Sequence, residues 1–132
     1  MSDEIKGRIL VAEDEERMMG LYKAIFRRSF GQYATHYTPS RKEAEKVLDE
    51  YKGDFNLVYS DCDMEEPGSG LKLHAHILEK YPGLGMRFVL ASGDHNNELT
   101  AKEKGIPFVY KPFDMNHLIS ALEEVLKYGK AA

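Results

Sequence analysis

The chain has a single cysteine, Cys62, in 132 residues, so no disulfide can close within it and a reducing compartment is expected. It has no apolar run approaching membrane-spanning length. Its first residues, Met1-Ser2-Asp3-Glu4-Ile5-Lys6-Gly7-Arg8, lack the apolar core of a signal peptide. Basic residues are not in excess: 18 Lys and Arg face 22 Asp and Glu, a net charge of −4 that argues against direct contact with nucleic acid. Repeats, low-complexity tracts and internal linkers are missing too. These absences leave a cytoplasmic domain over residues 1–132, with no membrane partner. Its 42% apolar and 30% charged content is ordinary for a globular chain, and its length allows one core.

The stretch Leu57-Val58-Tyr59-Ser60-Asp61-Cys62-Asp63 organises the rest. It reads as a short buried strand that ends abruptly on acids. Ile9-Leu10-Val11-Ala12 is a second such run, closed by Glu13-Asp14. From Glu15 to Phe30 the apolar residues Met18, Leu21, Tyr22, Ile25 and Phe26 recur at helical spacing, and Gly31 stops them. Tyr33 to Tyr37 reads as a strand. Ser40-Arg41-Lys42-Glu43 has the form of a capping box ahead of Ala44, Val47, Leu48 and Tyr51. After the Asp61 strand comes a turn-rich loop, 64–70, and a helix carrying Leu71, His74, Ala75, Ile77 and Leu78. Arg87 to Ala91 predicts a fourth strand, closed by Ser92-Gly93-Asp94. A polar helix follows over Asn96 to Lys104, with Leu99 and Ala101 its strongly apolar members. Phe108-Val109-Tyr110 is the fifth strand, Lys111-Pro112 follows it, and a last helix starts near Asp114.

Strands alternating with helices predict an α/β fold, a doubly wound parallel sheet with helices on both faces. Ligands in such sheets bind beyond the carboxyl ends of the strands. Glu13, Asp14, Asp61, Ser92 and Lys111 all fall at such ends and can converge on one rim. Taken singly, each has a plainer reading: the acids as helix caps, Ser92-Gly93 as a turn, Lys111 as a solvated charge. Crowded together, the three carboxylates would repel and favour a hard divalent cation, Mg²⁺ rather than zinc. Asp61 could then attack phosphorus to give an acyl phosphate, with Lys111 and the Ser92 hydroxyl on the phosphoryl oxygens. His74 and His76 should point to different helix faces, Cys62 should be a small buried residue, and the six methionines should fill the core.

Four segments carry a family resemblance: Ile9-Leu10-Val11-Ala12-Glu13-Asp14-Glu15, Asn56-Leu57-Val58-Tyr59-Ser60-Asp61, Val89-Leu90-Ala91-Ser92-Gly93, and Phe108-Val109-Tyr110-Lys111-Pro112-Phe113. In this order and over residues 8 to about 127 the chain resembles the receiver (response regulator) domain of two-component signal transduction systems. The resemblance implies a flavodoxin-like five-stranded sheet in order 2-1-3-4-5. It implies that Asp61 takes phosphoryl from a histidine kinase or histidine phosphotransfer protein, with Mg²⁺ held by Glu13, Asp14, Asp61 and the backbone carbonyl of Asp63. Ser92 and Phe108 stand at the positions that rearrange on phosphorylation, and Lys111 would contact the phosphoryl group. The Lys111-Pro112 bond should be cis. A homodimer or downstream protein would use the surface of the fourth helix, fifth strand and fifth helix, where the thinly packed helix from Asn96 should move cheaply. Asp63 and Asp94, each two residues beyond a key group, should flank the path of water to the phosphoryl group.

Two departures stand out. Glu13 occupies a position where Asp is commoner, and in the Met64–Gly70 loop, one residue longer than usual, Met64 is followed by Glu65-Glu66-Pro67 where the family usually has Met-Pro. Two rival functions remain at this point. One is a haloacid dehalogenase-type phosphatase, whose acidic pair, however, comes late in the chain. The other is a phosphorylation-independent pseudo-receiver that signals by contacts alone. In the preferred reading the domain is not an enzyme but assists its own phosphorylation and dephosphorylation.

Overall fold

The computed structural model describes residues 4–128. Five strands form one parallel sheet: β1 (Gly7–Ala12), β2 (Tyr33–Thr38), β3 (Leu57–Asp61), β4 (Phe88–Ser92) and β5 (Phe108–Tyr110), in the order β2-β1-β3-β4-β5. The helices are α1 (Glu16–Ser29), α2 (Arg41–Glu50), α3 (Ser69–Lys80), α4 (His95–Lys104) and α5 (Met115–Tyr128). A 3₁₀ turn at Pro82–Arg87 leads into β4, so Arg87, expected as the first residue of that strand, closes the turn instead.

Side-chain alternation divides the core between the two faces of the sheet. Ile9, Val11, Leu57, Tyr59, Val89 and Val109 face α1 and α5, where they meet Tyr22, Phe26, Leu118 and Leu122. Leu10, Ala12, Val58, Phe88 and Leu90 face α2 and α3, where they meet Leu48, Leu73 and Ile77. Every residue of β3 and of β4 is buried, as a strand covered on both sides requires. α4 is bound far more thinly: Ala101 is its buried residue, and Leu99 is 47% exposed.

Local chemistry explains most of the element ends. Ser40 caps α2 by accepting from the Glu43 amide, one half of the expected box. Gly105 ends α4 in the left-handed region (φ 70°), which suits a residue without a side chain. α3 starts at Ser69, ahead of the expected Leu71, because Ser69 and Gly70 are themselves buried against β3. A Cβ on Gly70 would run into the Asp61 carbonyl, so the close approach of α3 to the strand end needs glycine there. The methionines fill the core only in part: Met64 belongs to it and Met18 and Met19 pack against it, whereas Met86 and Met115 do not. Met64 is buried, Met18 and Met19 are half-buried, Met86 and Met115 are exposed, and Met1 lies outside the described residues. A flexible, unbranched side chain at those exposed sites covers surface rather than filling gaps.

The longer loop after β3 is braced rather than slack. Glu65 Oε1 accepts from the Arg41 amide at 2.9 Å and Oε2 from the Lys42 amide at 3.2 Å, so the loop caps a helix it does not precede. Glu66 pairs with Lys72 Nζ at 2.9 Å and lies 3.6 Å from Arg41 Nη2. Glu65→Ala frees two amides at the positive end of α2 and should lower stability by about 1 kcal/mol. Urea denaturation near neutral pH checks this; an unchanged midpoint would mean that water serves those amides equally well.

Candidate functional site: an acidic rim with one lysine

Four strand ends bring the expected residues together. Glu13 and Asp14 leave β1, Asp61 closes β3, Ser92 closes β4, and Lys111 follows β5. Registration aligns these ends, with Ala12 beside Ser60, Asp61 beside Ala91, and Ser92 beside Tyr110. Glu13 is 2% exposed and Asp61 9%, whereas Asp14 is open to solvent. Lys111 Nζ donates to Glu13 Oε1 at 3.2 Å and to Asp61 Oδ1 at 3.0 Å. The Lys111-Pro112 bond is cis, as the resemblance implied.

Glu13 does two things at once. Its Oε2 accepts from the Glu15 amide at the start of α1, while Oε1 faces Lys111. The acid thus braces the turn that leads into α1, which has no side-chain cap of its own, while it also serves the rim. Burial holds its carboxyl above the usual range, and the charge of Asp61 adds to that while Lys111 opposes it. Burial likewise raises Asp61 against the pull of Lys111, with Asp14 and Asp63 pushing the same way as burial. Burial by itself would lower the Lys111 ammonium, yet the surrounding groups, Asp61 and Glu13 among them, hold it above its ordinary value. One ammonium thus serves two buried carboxylates, a set short of positive charge.

Oxygens of Glu13, Asp14 and Asp61 all lie within 4.8 Å of one another, close enough to share one cation. An all-oxygen donor set with excess negative charge and an open side suits Mg²⁺. A cleft of about 610 Å³ opens elsewhere, beside the amino ends of β1 and β2, lined by Lys6, Arg28, Gln32, Tyr33 and Glu123 among others. It holds none of the rim residues.

Other expectations meet mixed outcomes. Cys62 is buried, and burial pushes its thiol up to about 12, so it is inert packing. His74 is buried edge-on against Phe88, while His76 sits at the surface near Asp49 and Glu45, on a different face as expected. Phe108 is partly buried beside the core, its ring 6.3 Å from that of Tyr110. Asp94 does not present a free carboxylate to the rim. Its Oδ1 accepts from the Asn96 amide, which makes it the cap of α4. Asp63 is also tied: Oδ1 accepts from the Gly68 amide at 2.7 Å and Oδ2 from Asn97 Nδ2 at 2.9 Å.

Two features escaped the sequence reading. Asn97 bridges Asp63 and Ser92 from the first turn of α4. Its only signal was an amide side chain in a helix turn that opens onto the rim. Below the acids, the buried phenols of Tyr22 and Tyr59 share a 2.7 Å hydrogen bond, with the rings edge-to-face. Tyr22 also stacks on Phe113, just past the lysine. Tyr59 stands two residues before Asp61 on the same face of β3, which was legible only as periodicity.

The model of the response regulator receiver domain matches residues 9–123. The non-phosphorylated HemR receiver domain from Leptospira biflexa superposes with a TM-score of 0.78 at 26% identity, covering 96% of this chain and 99% of that one. The signal receiver domain of an HD domain-containing protein from Pseudomonas fluorescens Pf-5 gives 0.79 at 22% identity, covering 98% and 93%, a likeness of fold. Among curated proteins, the sensor kinase CckA of Brucella abortus (strain 2308) is 29% identical over 124 residues. That match takes in 90% of this chain but 12% of the kinase's length. With the strand order, the rim and these likenesses together, the chain belongs to the response regulator receiver domain family, the phosphoacceptor signalling domains of two-component systems.

Proposed function

We propose that Asp61 is the phosphoacceptor of a single receiver domain with its core at 8–127, and that its donor is a phosphohistidine on a histidine kinase or histidine phosphotransfer protein. The observation that carries this is the convergence of Glu13, Asp61 and Lys111 within hydrogen-bonding distance at one rim. Lys111 engages Oδ1 of Asp61, leaving the other oxygen to attack phosphorus. An O–P bond forms as the donor's N–P bond breaks, and the imidazole leaves with the electron pair of that bond. Lys111 and the Ser92 hydroxyl then hold the phosphoryl oxygens as charge moves onto them. Glu13, Asp14, Asp61 and the carbonyl of Asp63 would hold Mg²⁺, which neutralises charge on the transferring group. Ser92 and Phe108 pass the change to α4, β5 and α5, where Leu99 (47% exposed) and Tyr110 (42%) offer apolar contacts to a second copy or a downstream protein. The domain assists its own phosphorylation and dephosphorylation without a substrate to turn over. A cytoplasmic location belongs to the same reading; the described residues hold no helix long and apolar enough to cross a membrane.

Incubation with a small phosphodonor and Mg²⁺, followed by mass spectrometry, tests the assignment. One phosphoryl group on Asp61 is the expected result; a protein that no donor labels would point instead to signalling by contact alone. The metal reading has its own check. Asp14→Asn removes one charge and one ligand at an exposed position, so Mg²⁺ affinity should fall about tenfold in a calorimetric titration. Equal affinity in the variant would take Asp14 out of the site.

A further inference from the structure

We propose that Ser69 is a positioning residue for the cation site: its buried hydroxyl fixes the peptide between Asp63 and Met64, so that the Asp63 carbonyl stands ready as a metal ligand. The inference rests on the reading of that carbonyl as one of the Mg²⁺ ligands. Ser69 opens α3 and is fully buried. A serine at a helix start ordinarily caps that helix. Here the cap position belongs to Gly68, which has no side chain to offer. The Ser69 hydroxyl reaches back instead, and its Oγ accepts from the Met64 amide at 2.8 Å. A peptide is planar and trans, so its N–H and C=O point in opposite directions. Holding the Met64 N–H against the buried Ser69 therefore turns the Asp63 carbonyl away from the interior. Among the described residues that carbonyl accepts no hydrogen bond, whereas the Cys62 carbonyl before it accepts from the Gly70 amide at 2.8 Å.

Two neighbouring residues of α3 thus set both peptides that flank Asp63. Gly70 holds the one before it by the Cys62 carbonyl, and Ser69 holds the one after it by the Met64 amide. The first restrains φ of Asp63 and the second its ψ, the two soft angles of the residue. Bonds to the side chain of Asp63 do not achieve this. Its oxygens are tied to the Gly68 amide and to Asn97, yet a peptide can turn about the line between its two Cα atoms with the side chains in place. Glu65 and Glu66 anchor the loop farther along, on α2 and on Lys72, without touching that plane. Among the described contacts, the Ser69 bond is the one that acts on it. A ligand already aimed binds a metal more tightly than one that must first be turned and held.

Calorimetric and NMR titrations of Mg²⁺ into the full chain test this. Ser69→Ala and Ser69→Cys, the second filling the same space with a much weaker acceptor, should each weaken Mg²⁺ binding about tenfold. Glu65→Ala loosens the same loop at its far contacts and should stay within about twofold of wild type. That contrast separates the aim of the carbonyl from general slackening of the loop. The Met64 amide nitrogen supplies a direct signature, because a cation on the Asp63 carbonyl polarises the whole peptide. Its resonance should move on Mg²⁺ addition in wild type and far less in the Ser69 variants. Unchanged affinity in both Ser69 variants, or an equal loss in Glu65→Ala, overturns the role of Ser69 alone. A Met64 resonance that stays still in wild type while those of Asp14 and Asp61 respond removes the carbonyl from the ligand set, and the proposal falls with that reading. Wild type in which Mg²⁺ moves none of them overturns the cation site itself.

Discussion

Asp61→Asn should reduce phosphoryl labelling to background, a loss of at least about a hundredfold, while the protein stays folded. The amide keeps the shape of the side chain but offers no anionic oxygen to phosphorus. Asp14, Asp63 and Asp94 do not replace it. Asp14 is solvated at the mouth of the rim, Asp63 is bound to Gly68 and Asn97, and Asp94 caps α4. The variant should also be at least as stable as wild type without metal, because burial and neighbouring acids make the Asp61 charge unfavourable in the folded state. Labelling and denaturation on the same preparation decide both points; full-yield label elsewhere would end the claim that Asp61 is the acceptor.

Lys111→Met should have the largest effect on stability. It leaves Glu13 and Asp61 facing each other at the rim without their shared cation. Stripping one partner from a largely buried ionic set costs about 2–4 kcal/mol. Added Mg²⁺ should restore much of this, and should bind the variant more tightly than wild type, because the lysine no longer competes for the same oxygens. The pH dependence follows from the direction of the two acids. Both are raised, by burial first and by neighbouring acids besides. Their contribution is therefore fully present below the ordinary carboxylate range, about pH 4, and is lost as pH rises through the folded values. Metal-free protein should lose stability over that rise, and Lys111→Met should lose more, since the lysine draws both acids down. Urea titrations with and without Mg²⁺ at several pH values check this; a variant as stable as wild type in chelator would show that water already screens the pair.

The rim was legible because contiguous apolar runs fix where the strands lie, and the residue after each run is then fixed in space. Ile9 to Ala12 could only be followed by Glu13 and Asp14 at a carboxyl end, and Leu57 to Ser60 by Asp61. The strand order came from the family resemblance; hydrophobic spacing does not encode it. Direction of polar side chains was the weak point. Asp94 was expected to face water at the rim, but a short acid just before a helix is better satisfied by the amides of its first turn. Asn97 sits in a helix too polar for periodicity to orient, so its bridge between Asp63 and Ser92 left no pattern to read. The loop residue Glu65 raised the question of shape, and its answer lay on α2, 24 residues back in the chain.

The hydroxyl pair beneath the acids has an optical consequence. The sequence contains no tryptophan, so its eight tyrosines carry the near-ultraviolet absorption almost alone. Two of them, Tyr22 and Tyr59, are buried within electrostatic reach of Glu13 and Asp61, and Lys111 acts on Tyr22 as well. Burial first of all pushes Tyr22 up to about 12 and Tyr59 well above its ordinary value, so both phenols stay protonated at neutral pH. Their transitions nevertheless respond to the local field. Any charge that arrives at the rim or leaves it is sensed by a pair of fixed chromophores, which makes the domain its own indicator without an attached dye.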